Sequence, residues 1–181
     1  MKNDGTGTPT EGKIKGPVIA SWVEFYGWTR LAEIGVKKAE TTAYLLARCP
    51  GLTVFAVDIW DEYVSGAARK LVPKARADAW ERKTRERLAP FGDRAVILKA
   101  RSTLASLVIE DASLDCAFID ANHTEDEVLA DIAAWRPKVR SGGMLAGHDL
   151  HVHAVRQAVE KSFPPRSWHE FPAHVWAFLV P

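Results

Sequence analysis

The apolar positions of this chain fall into two kinds of segment, which alternate along most of the sequence. Short and almost continuous apolar runs are typical of strands buried on both faces of a sheet. These runs cover residues 31–35, 53–58, 95–99, 114–120 and 142–147. Segments with helical spacing of apolar residues separate them. These segments cover about 17–26, 40–48, 63–88, 125–135 and 152–163, with a break predicted at Pro73.

This alternation predicts an α/β fold with a mostly parallel sheet. Two further apolar segments, 168–171 and 175–180, predict an antiparallel pair that supplies the sixth and seventh strands. Residues 1–15 are rich in Gly, Thr, Lys and Pro, so we expect a flexible tail there. Residues 16–181 show no linker and no internal repeat, which favours a single domain.

Composition favours a soluble globular protein. Of the 181 residues, 47% are hydrophobic and 26% are charged, so the chain can bury a full core. No apolar run approaches the roughly 18 residues that span a bilayer, and the first residues lack the apolar segment of a secretory signal. A net charge of +1 gives no general footprint for nucleic-acid binding. Cys49 and Cys116 make neither a disulfide framework nor a zinc cluster, and we expect a cytoplasmic protein.

Acidic residues and a glycine follow the first two predicted strands. Glu33 and Gly35 end the first strand, and Asp58 ends the second. In a doubly wound sheet this edge approaches a nucleotide-like ligand, and a carboxylate such as Asp58 can accept both ribose hydroxyls. A G-x-G-x-x-G fingerprint is absent, which favours a nucleoside without phosphates. The alternatives are a plain strand-to-helix turn at Gly35 and a helix N-cap at Asp58.

Polar side chains also follow the fourth and fifth predicted strands. Asp120 ends one strand and His123 lies three residues later, whereas His148 and Asp149 end the next strand. Ligands bind at the carboxyl ends of strands in open α/β sheets, so these groups are candidates for chemistry. Helix capping by His123 and by Asp149 remains the alternative. Trp60 lies just past Asp58, where it either packs on a base or belongs to the core.

Together these residues resemble the motifs of class I S-adenosylmethionine-dependent methyltransferases. The resemblance covers about residues 28–150, and it is strongest to a small bacterial subgroup (methyltransferase family 24-like), with similarity to cation-dependent O-methyltransferases. That subgroup is indicated by the run from Phe118 to His123, by Asp131, Ile132, Trp135 and Pro137, and by the Gly142–Asp149 segment. The chain departs from the family at Ala39, where a second glycine is common. The resemblance implies a Rossmann-like, doubly wound seven-stranded sheet with helices on both faces and an antiparallel C-terminal strand.

The resemblance also implies a role for individual residues. Glu33 and Gly35 would line the methionine end of the cofactor, with Thr41 near its carboxylate. Asp58 would hold the ribose, Ser102 would lie near the adenine, and Asp120 would face the methionine portion. In metal-dependent relatives the residue that matches Asp120 also ligates a divalent cation.

We therefore expect methyl transfer to an oxygen of a small molecule, such as a sugar or a secondary metabolite. Asp120 and His123 are the predicted catalytic residues, with His123 as general base, because histidine is a suitable base near neutral pH. Asp120, His148 and Asp149 are the predicted ligands of a Mg²⁺ or Mn²⁺ ion. The short chain favours a homodimer. The alternatives are a binding module without catalysis and an NAD(P)-linked oxidoreductase.

Overall fold

The computed structural model describes residues 15–65 and 69–181. Most of the predicted N-terminal tail, residues 1–14, lies outside the described residues. Lys15 is the exception, because it is the first residue of helix α1 (Lys15–Tyr26). The bounds of the strands in the main sheet are β1 (Arg30–Ile34), β2 (Thr53–Asp58), β5 (Ala95–Lys99), β6 (Leu114–Ile119), β7 (Val139–Gly147), β8 (Trp168–Phe171) and β9 (Val175–Leu179).

Within the described residues these seven strands form one sheet in the order β5-β2-β1-β6-β7-β9-β8. The first five strands in this order are parallel, and β9 runs antiparallel to both β7 and β8. The predicted fold class is therefore confirmed, including the antiparallel pair at the C-terminal end. Alternate residues of each central strand face opposite layers: Leu31 and Val54 lie in one core, and Ala32 and Phe55 in the other.

Helices cover both faces of the sheet because each of them has one apolar side. Their bounds beyond α1 are α2 (Glu40–Arg48), α3 (Lys74–Leu88), α4 (Ser102–Ala105), α5 (Glu125–Trp135) and α6 (His153–Ser162). Buried residues of α1 to α3 pack into one core cluster, and those of α4 to α6 pack into the other. The sequence predicts the bounds of α2 and α5 to the residue, and it misses the short α4.

The prediction of a helix over 63–88 is wrong in its first half. Residues Tyr63–Ser65 (β3) and Lys70–Val72 (β4) pair as a two-stranded antiparallel hairpin. Pro73 then precedes α3 in an extended conformation, with φ −72° and ψ 151°. The β-branched and aromatic residues Tyr63, Val64 and Val72 of this segment suit a hairpin. Pro73 thus separates two elements instead of bending one.

Candidate functional site

The carboxyl ends of the parallel strands open into a cavity of about 780 Å³. The order of the strands places the end of β1 between those of β2 and β6, with β5 and β7 outside them. Loops that leave these strands toward opposite faces part here, so the edge is a natural ligand cleft. Nine of the ten residues predicted from the sequence line this cavity. They are Glu33, Gly35, Thr41, Asp58, Ser102, Asp120, His123, His148 and Asp149.

Trp60 is the exception, and the prediction that it packs on a base of the ligand is wrong. Its side chain is 1% exposed and belongs to the core cluster formed with α1, α2 and α3. The indole N–H donates to the carbonyl of Lys37 at 2.9 Å. The backbone N–H of Trp60 donates to Asp58 Oδ1 at 3.0 Å. Trp60 therefore supports the cavity from behind, which is the alternative that the sequence left open.

Gly35 lets two strand ends come together at the centre of the cavity. Its φ is +92°, and a Cβ at this position would lie 2.3 Å from the carbonyl oxygen of Asp120. No other residue type fits there without moving the β6 end. Gly35 is thus more than a turn residue, because its bare backbone is what brings β1 against the loop after β6.

Asp58 fastens the loops that follow β1 and β2. Its Oδ2 accepts the backbone N–H of Lys37 at 2.8 Å, and its Oδ1 accepts that of Trp60 at 3.0 Å. Burial raises the pKa of Asp58, although these backbone donors oppose the effect. The hairpin strand β3, and not a helix, follows Asp58, so the N-cap alternative is wrong. Each carboxylate oxygen still has a lone pair for a donor in the cavity.

Glu33 is a buried acid held by two threonines. It is 2% exposed, and the hydroxyl of Thr42 donates to its Oε2. Burial raises the pKa of Glu33, while Lys15 and hydrogen bonds from Thr41 and Thr42 act in the opposite direction. Thr41, the residue expected near the cofactor, therefore belongs to the set that orients this acid.

Lys15 places a cation in the middle of these acids, and sequence reasoning missed it. Its Nζ contacts Asp120 Oδ2 and lies 3.9 Å from Glu33 Oε1. Burial lowers the pKa of Lys15, even though nearby acids raise it. The residue sits in a polar N-terminal segment whose composition resembles a tail, so no local signal marked it. Only the start of α1 beneath the β1 and β6 ends brings it into the site.

His123, His148 and Asp149 form a second polar cluster beside Asp120. His123 Nε2 lies 2.6 Å from Asp149 Oδ2, and His148 Nδ1 lies 3.1 Å from Asp149 Oδ1 and 3.6 Å from Asp120 Oδ1. Burial by itself would raise the pKa of Asp149, but the two histidines hold it below its ordinary value. One donor atom from each of Asp120, His123 and Asp149 lies within 4.8 Å of the others.

Neither capping alternative holds in this cluster. Helix α5 is capped by Thr124, whose Oγ1 accepts the backbone N–H of Glu127, while His123 turns toward Asp149. Helix α6 begins after Val152, and no side chain caps it. Asp149 has a left-handed backbone with φ 57°, a conformation that is tolerated by Asp and is common where structure serves a site.

The end of the cavity at β5 contains a hydrogen-bonded group that the predictions only partly included. Trp135 Nε1 donates to Ser102 Oγ at 2.8 Å, and burial raises the pKa of Asp131 to about 6 while Ser102 acts in the opposite direction. Ser102 and Asp131 both line the cavity. The sequence marks Asp131 only as part of the family pattern, because a position in the middle of α5 does not by itself indicate a site.

Comparisons with known proteins identify the family of this chain. A family model described as a methyltransferase domain, of family 24, matches residues 32–150. The chain therefore belongs to that methyltransferase family, and it is an S-adenosylmethionine-dependent methyltransferase. This match supports the methyltransferase interpretation and not the alternative of an NAD(P)-linked oxidoreductase. No curated protein matches the sequence.

Solved structures show the same fold at low sequence identity. A protein from Staphylococcus aureus, described as a caffeoyl-CoA O-methyltransferase, has 11% identity and a TM-score of 0.69 over 93% of this chain and 83% of that one. The O-methyltransferase NovP has 12% identity and a TM-score of 0.68 over 93% and 79%. Cofactor-bound Rv0187 from MTB has 13% identity and a TM-score of 0.67 over 98% and 83%. Among the described residues, no helix is long and apolar enough to cross a membrane.

Proposed function

We propose that this methyltransferase transfers its methyl group to an oxygen atom of a small molecule. The observation that carries the proposal is the contact between His123 and Asp149, 2.6 Å apart, at the strand ends beside Asp120. A hydroxyl acceptor must lose a proton as it is methylated, and a histidine paired with a carboxylate is suited to take it. The O-methyltransferases among the structural neighbours support the same choice.

The cavity suits S-adenosylmethionine, which supplies an electrophilic methyl group when it is bound. Asp58 offers acceptor oxygens to the two hydroxyls of a ribose. The bare backbone of Gly35 permits a close approach at the centre of the cavity. Glu33 and Asp120 make the β1–β6 end acidic, as an amino group requires, and both contact or lie near the ammonium of Lys15 in this structure.

His123 and Asp149 divide the work of proton removal. The carboxylate of Asp149, 2.6 Å from His123 Nε2, holds the imidazole by its charge and leaves Nδ1 as the nitrogen that can take a proton. Asp149 is then ionised across the neutral pH range because the histidines hold its pKa low. Its negative charge stabilises the imidazolium that forms. Asp120 and Gly35 fix the position of the β6 loop, so the base is held in place relative to the cavity.

We further propose a divalent-metal site in the same cluster. Asp120, His123 and Asp149 lie close enough to share one ion, and His148, the ligand expected from the sequence, lies beside them with its Nδ1 3.1 Å from Asp149 Oδ1. Such a mixed set suits Mn²⁺ better than Mg²⁺. When bound, the ion would lower the pKa of a coordinated hydroxyl. Lys15 already contacts Asp120, so it competes for that ligand.

Titration with Mn²⁺ tests the metal site without any turnover. The free-ion electron paramagnetic resonance signal should fall in the presence of the wild-type protein, and Asp149→Asn should weaken this binding by at least tenfold. Lys15→Met should strengthen it, since a competing cation is removed. Equal signals with and without wild-type protein would exclude the metal site and leave the His123 base as the sole device.

The proposed function itself is tested by transfer to a panel of hydroxylated small molecules. Formation of S-adenosylhomocysteine reports each turnover. His123→Ala should lower kcat by about 10²-fold to 10⁴-fold, because a positioned general base contributes on that order. His169→Ala is the control, since His169 is exposed on β8. Turnover that is unchanged in His123→Ala, or wild-type activity on amine acceptors only, would contradict the proposal.

A further inference from the structure

Three buried nitrogen atoms beside the site make no hydrogen bond. They are Nε2 of His123, Nε2 of His148 and Nε1 of Trp176. Among the buried side-chain atoms of residues 15–65 and 69–181, only Nε1 of Trp28 is also without one. His123 Nε2 has its ionic contact with Asp149, whereas no described residue pairs with the other two nitrogens. Buried polar groups of native proteins are nearly always satisfied, by protein or by ordered water, so these two nitrogens indicate a bound ligand.

All three residues line a small cavity behind the ends of β6 and β7. Its volume of about 10 Å³ gives room for one water molecule. Val128 of α5 and Val155 of α6 also line it, so its helix side is apolar. The indole of Trp176 lies on the bare backbone of Gly147, where a Cβ would be 2.7 Å from Cε2, the ring atom bonded to Nε1. His148 follows Gly147 directly, so the indole and the imidazole reach the same cavity.

The chemistry of the two nitrogens defines what the cavity can hold. An indole N–H only donates, so the ligand must accept from Trp176. His148 Nδ1 lies 3.1 Å from Asp149 Oδ1 and 3.6 Å from Asp120 Oδ1. These carboxylate oxygens favour a hydrogen on Nδ1, which leaves the neutral imidazole with its lone pair at Nε2. The ligand must therefore donate to His148. Water can accept from one nitrogen and donate to the other, whereas a metal ion cannot accept from an indole.

We propose that one water molecule in this cavity accepts from Trp176 Nε1 and donates to His148 Nε2, and so holds His148 as the tautomer with its hydrogen on Nδ1. His148 then donates to Asp149 and orients that carboxylate, and it does not offer Nδ1 to a metal ion. Trp176 is a positioning residue that acts through the water. Its effect on catalysis rests on the proposed function, because Asp149 is the partner of the base His123.

Heteronuclear NMR of the histidine side chains tests the tautomer without turnover. The sample is metal-free protein at alkaline pH, where imidazoles are neutral, and His148→Asn identifies the signals of His148. Wild type should carry the hydrogen on Nδ1. Trp176→Phe keeps an aromatic ring but removes the N–H, and it should give a mixture of the two tautomers. Trp28→Phe is the matched control, because it removes a buried and unpartnered indole N–H from the other core cluster, and it should leave His148 unchanged.

A crystal structure and steady-state kinetics complete the test. High-resolution density of wild type should show a water within hydrogen-bond distance of both nitrogens, and this water should be absent or displaced in Trp176→Phe. The same variant should lower kcat by about tenfold, as the loss of an outer partner of a site does. The KM for S-adenosylmethionine should stay unchanged, and Trp28→Phe should keep both constants.

The outcomes separate this inference from the proposed function. A hydrogen on Nε2 of His148 in wild type would overturn the inference without any variant, and so would a cavity without density for water. A wild-type tautomer in Trp176→Phe would also overturn it, since Trp176 would then only fill space. Wild type that methylates no hydroxyl would overturn the proposed function alone, because the tautomer and the water are observed without turnover.

Discussion

At the scale of single residues, the site depends on backbone positions that restrict which residue can stand there. Gly35 is fixed by both its φ of +92° and the 2.3 Å that a Cβ would leave to Asp120. Ala39 and Lys37 also adopt left-handed conformations, each with φ 53°, in the loop between β1 and α2. Ala39 thus takes a backbone conformation that favours glycine, which explains why a second glycine is common at this position in the family.

Gly35→Ala should destabilise the protein by about 3 kcal/mol, from backbone strain and from the clash with the β6 loop. Urea unfolding followed by circular dichroism measures the change. Gly51→Ala is the control, because a Cβ there meets nothing within 4 Å, and its effect should stay within about 0.5 kcal/mol. Equal stabilities for Gly35→Ala and wild type would show that the loops can separate without cost.

Lys15→Met should lower the free energy of unfolding by about 3 kcal/mol, because it leaves Asp120 and Glu33 buried without their cation. The side chains of Lys15 and Asp120 are 10% and 14% exposed, so solvent screens the pair little. In a double-mutant cycle with Asp120→Asn, the two losses should not add. Additive losses would mean that the contact contributes nothing to stability.

Asp131 should make stability depend on pH in an unusual direction. Burial raises its pKa to about 6 from 3.8, so the folded protein holds this proton more tightly than the unfolded chain. Stability from this group is therefore present below about pH 4 and is lost as the pH rises through 6, by roughly 3 kcal/mol. Unfolding of wild type relative to Asp131→Asn between pH 4 and 7 measures it. A difference that does not change with pH would contradict the burial of a titrating acid.

At the scale of secondary structure, the prediction succeeds where an apolar pattern coincides with clear signals at the ends of the element. Strands such as β2 and β5 have continuous apolar runs, and α5 has both an apolar stripe and a capping threonine, so their bounds follow from the sequence. The sequence does not predict the β3–β4 hairpin, because a few residues of mixed polar and apolar character fit either a helix or a hairpin. The sequence does not predict the role of Lys15 either, because that role depends on where α1 begins relative to the distant strand β6.

The hairpin should become more protected when ligand binds. Tyr63 and Val64 line the cavity, and isolated two-stranded hairpins are marginally stable in water. A ligand that contacts β3 should therefore slow hydrogen exchange in residues 63–65 and 70–72. Exchange in β8 and β9, at the far edge of the sheet, is the internal control. Unchanged exchange in the hairpin at saturating S-adenosylhomocysteine would show that it does not cover the ligand.

At the scale of the whole molecule, the site follows from topology more than from any motif. Residues as distant in sequence as Lys15 and Asp120 meet because α1 begins beside the ends of β1 and β6, which are neighbours at the centre of the sheet. The sequence could therefore predict which strand ends carry chemistry, since the order of the motifs implies the order of the strands. It could not predict Lys15 or Asp131, because their roles come from packing between elements.

The homodimer remains a prediction at this scale. The chain is short, so an acceptor pocket over the cavity would be completed by the N-terminal tail, by the loop after Trp60 or by a second copy, and the homodimer supplies the last of these. Light scattering should give twice the chain mass of 20.0 kDa. A monomeric mass at concentrations where the enzyme is fully active would contradict it.

The strand-end cavity should bind the nucleoside part of S-adenosylmethionine through Asp58. Isothermal titration of S-adenosylhomocysteine into wild type and Asp58→Ala tests it most directly, with Asp93→Ala as an exposed control. We expect micromolar binding to wild type and to the control, and binding weakened by at least tenfold in Asp58→Ala with its fold intact. Wild-type affinity in Asp58→Ala, or no heat of binding for any of the three proteins, would contradict it.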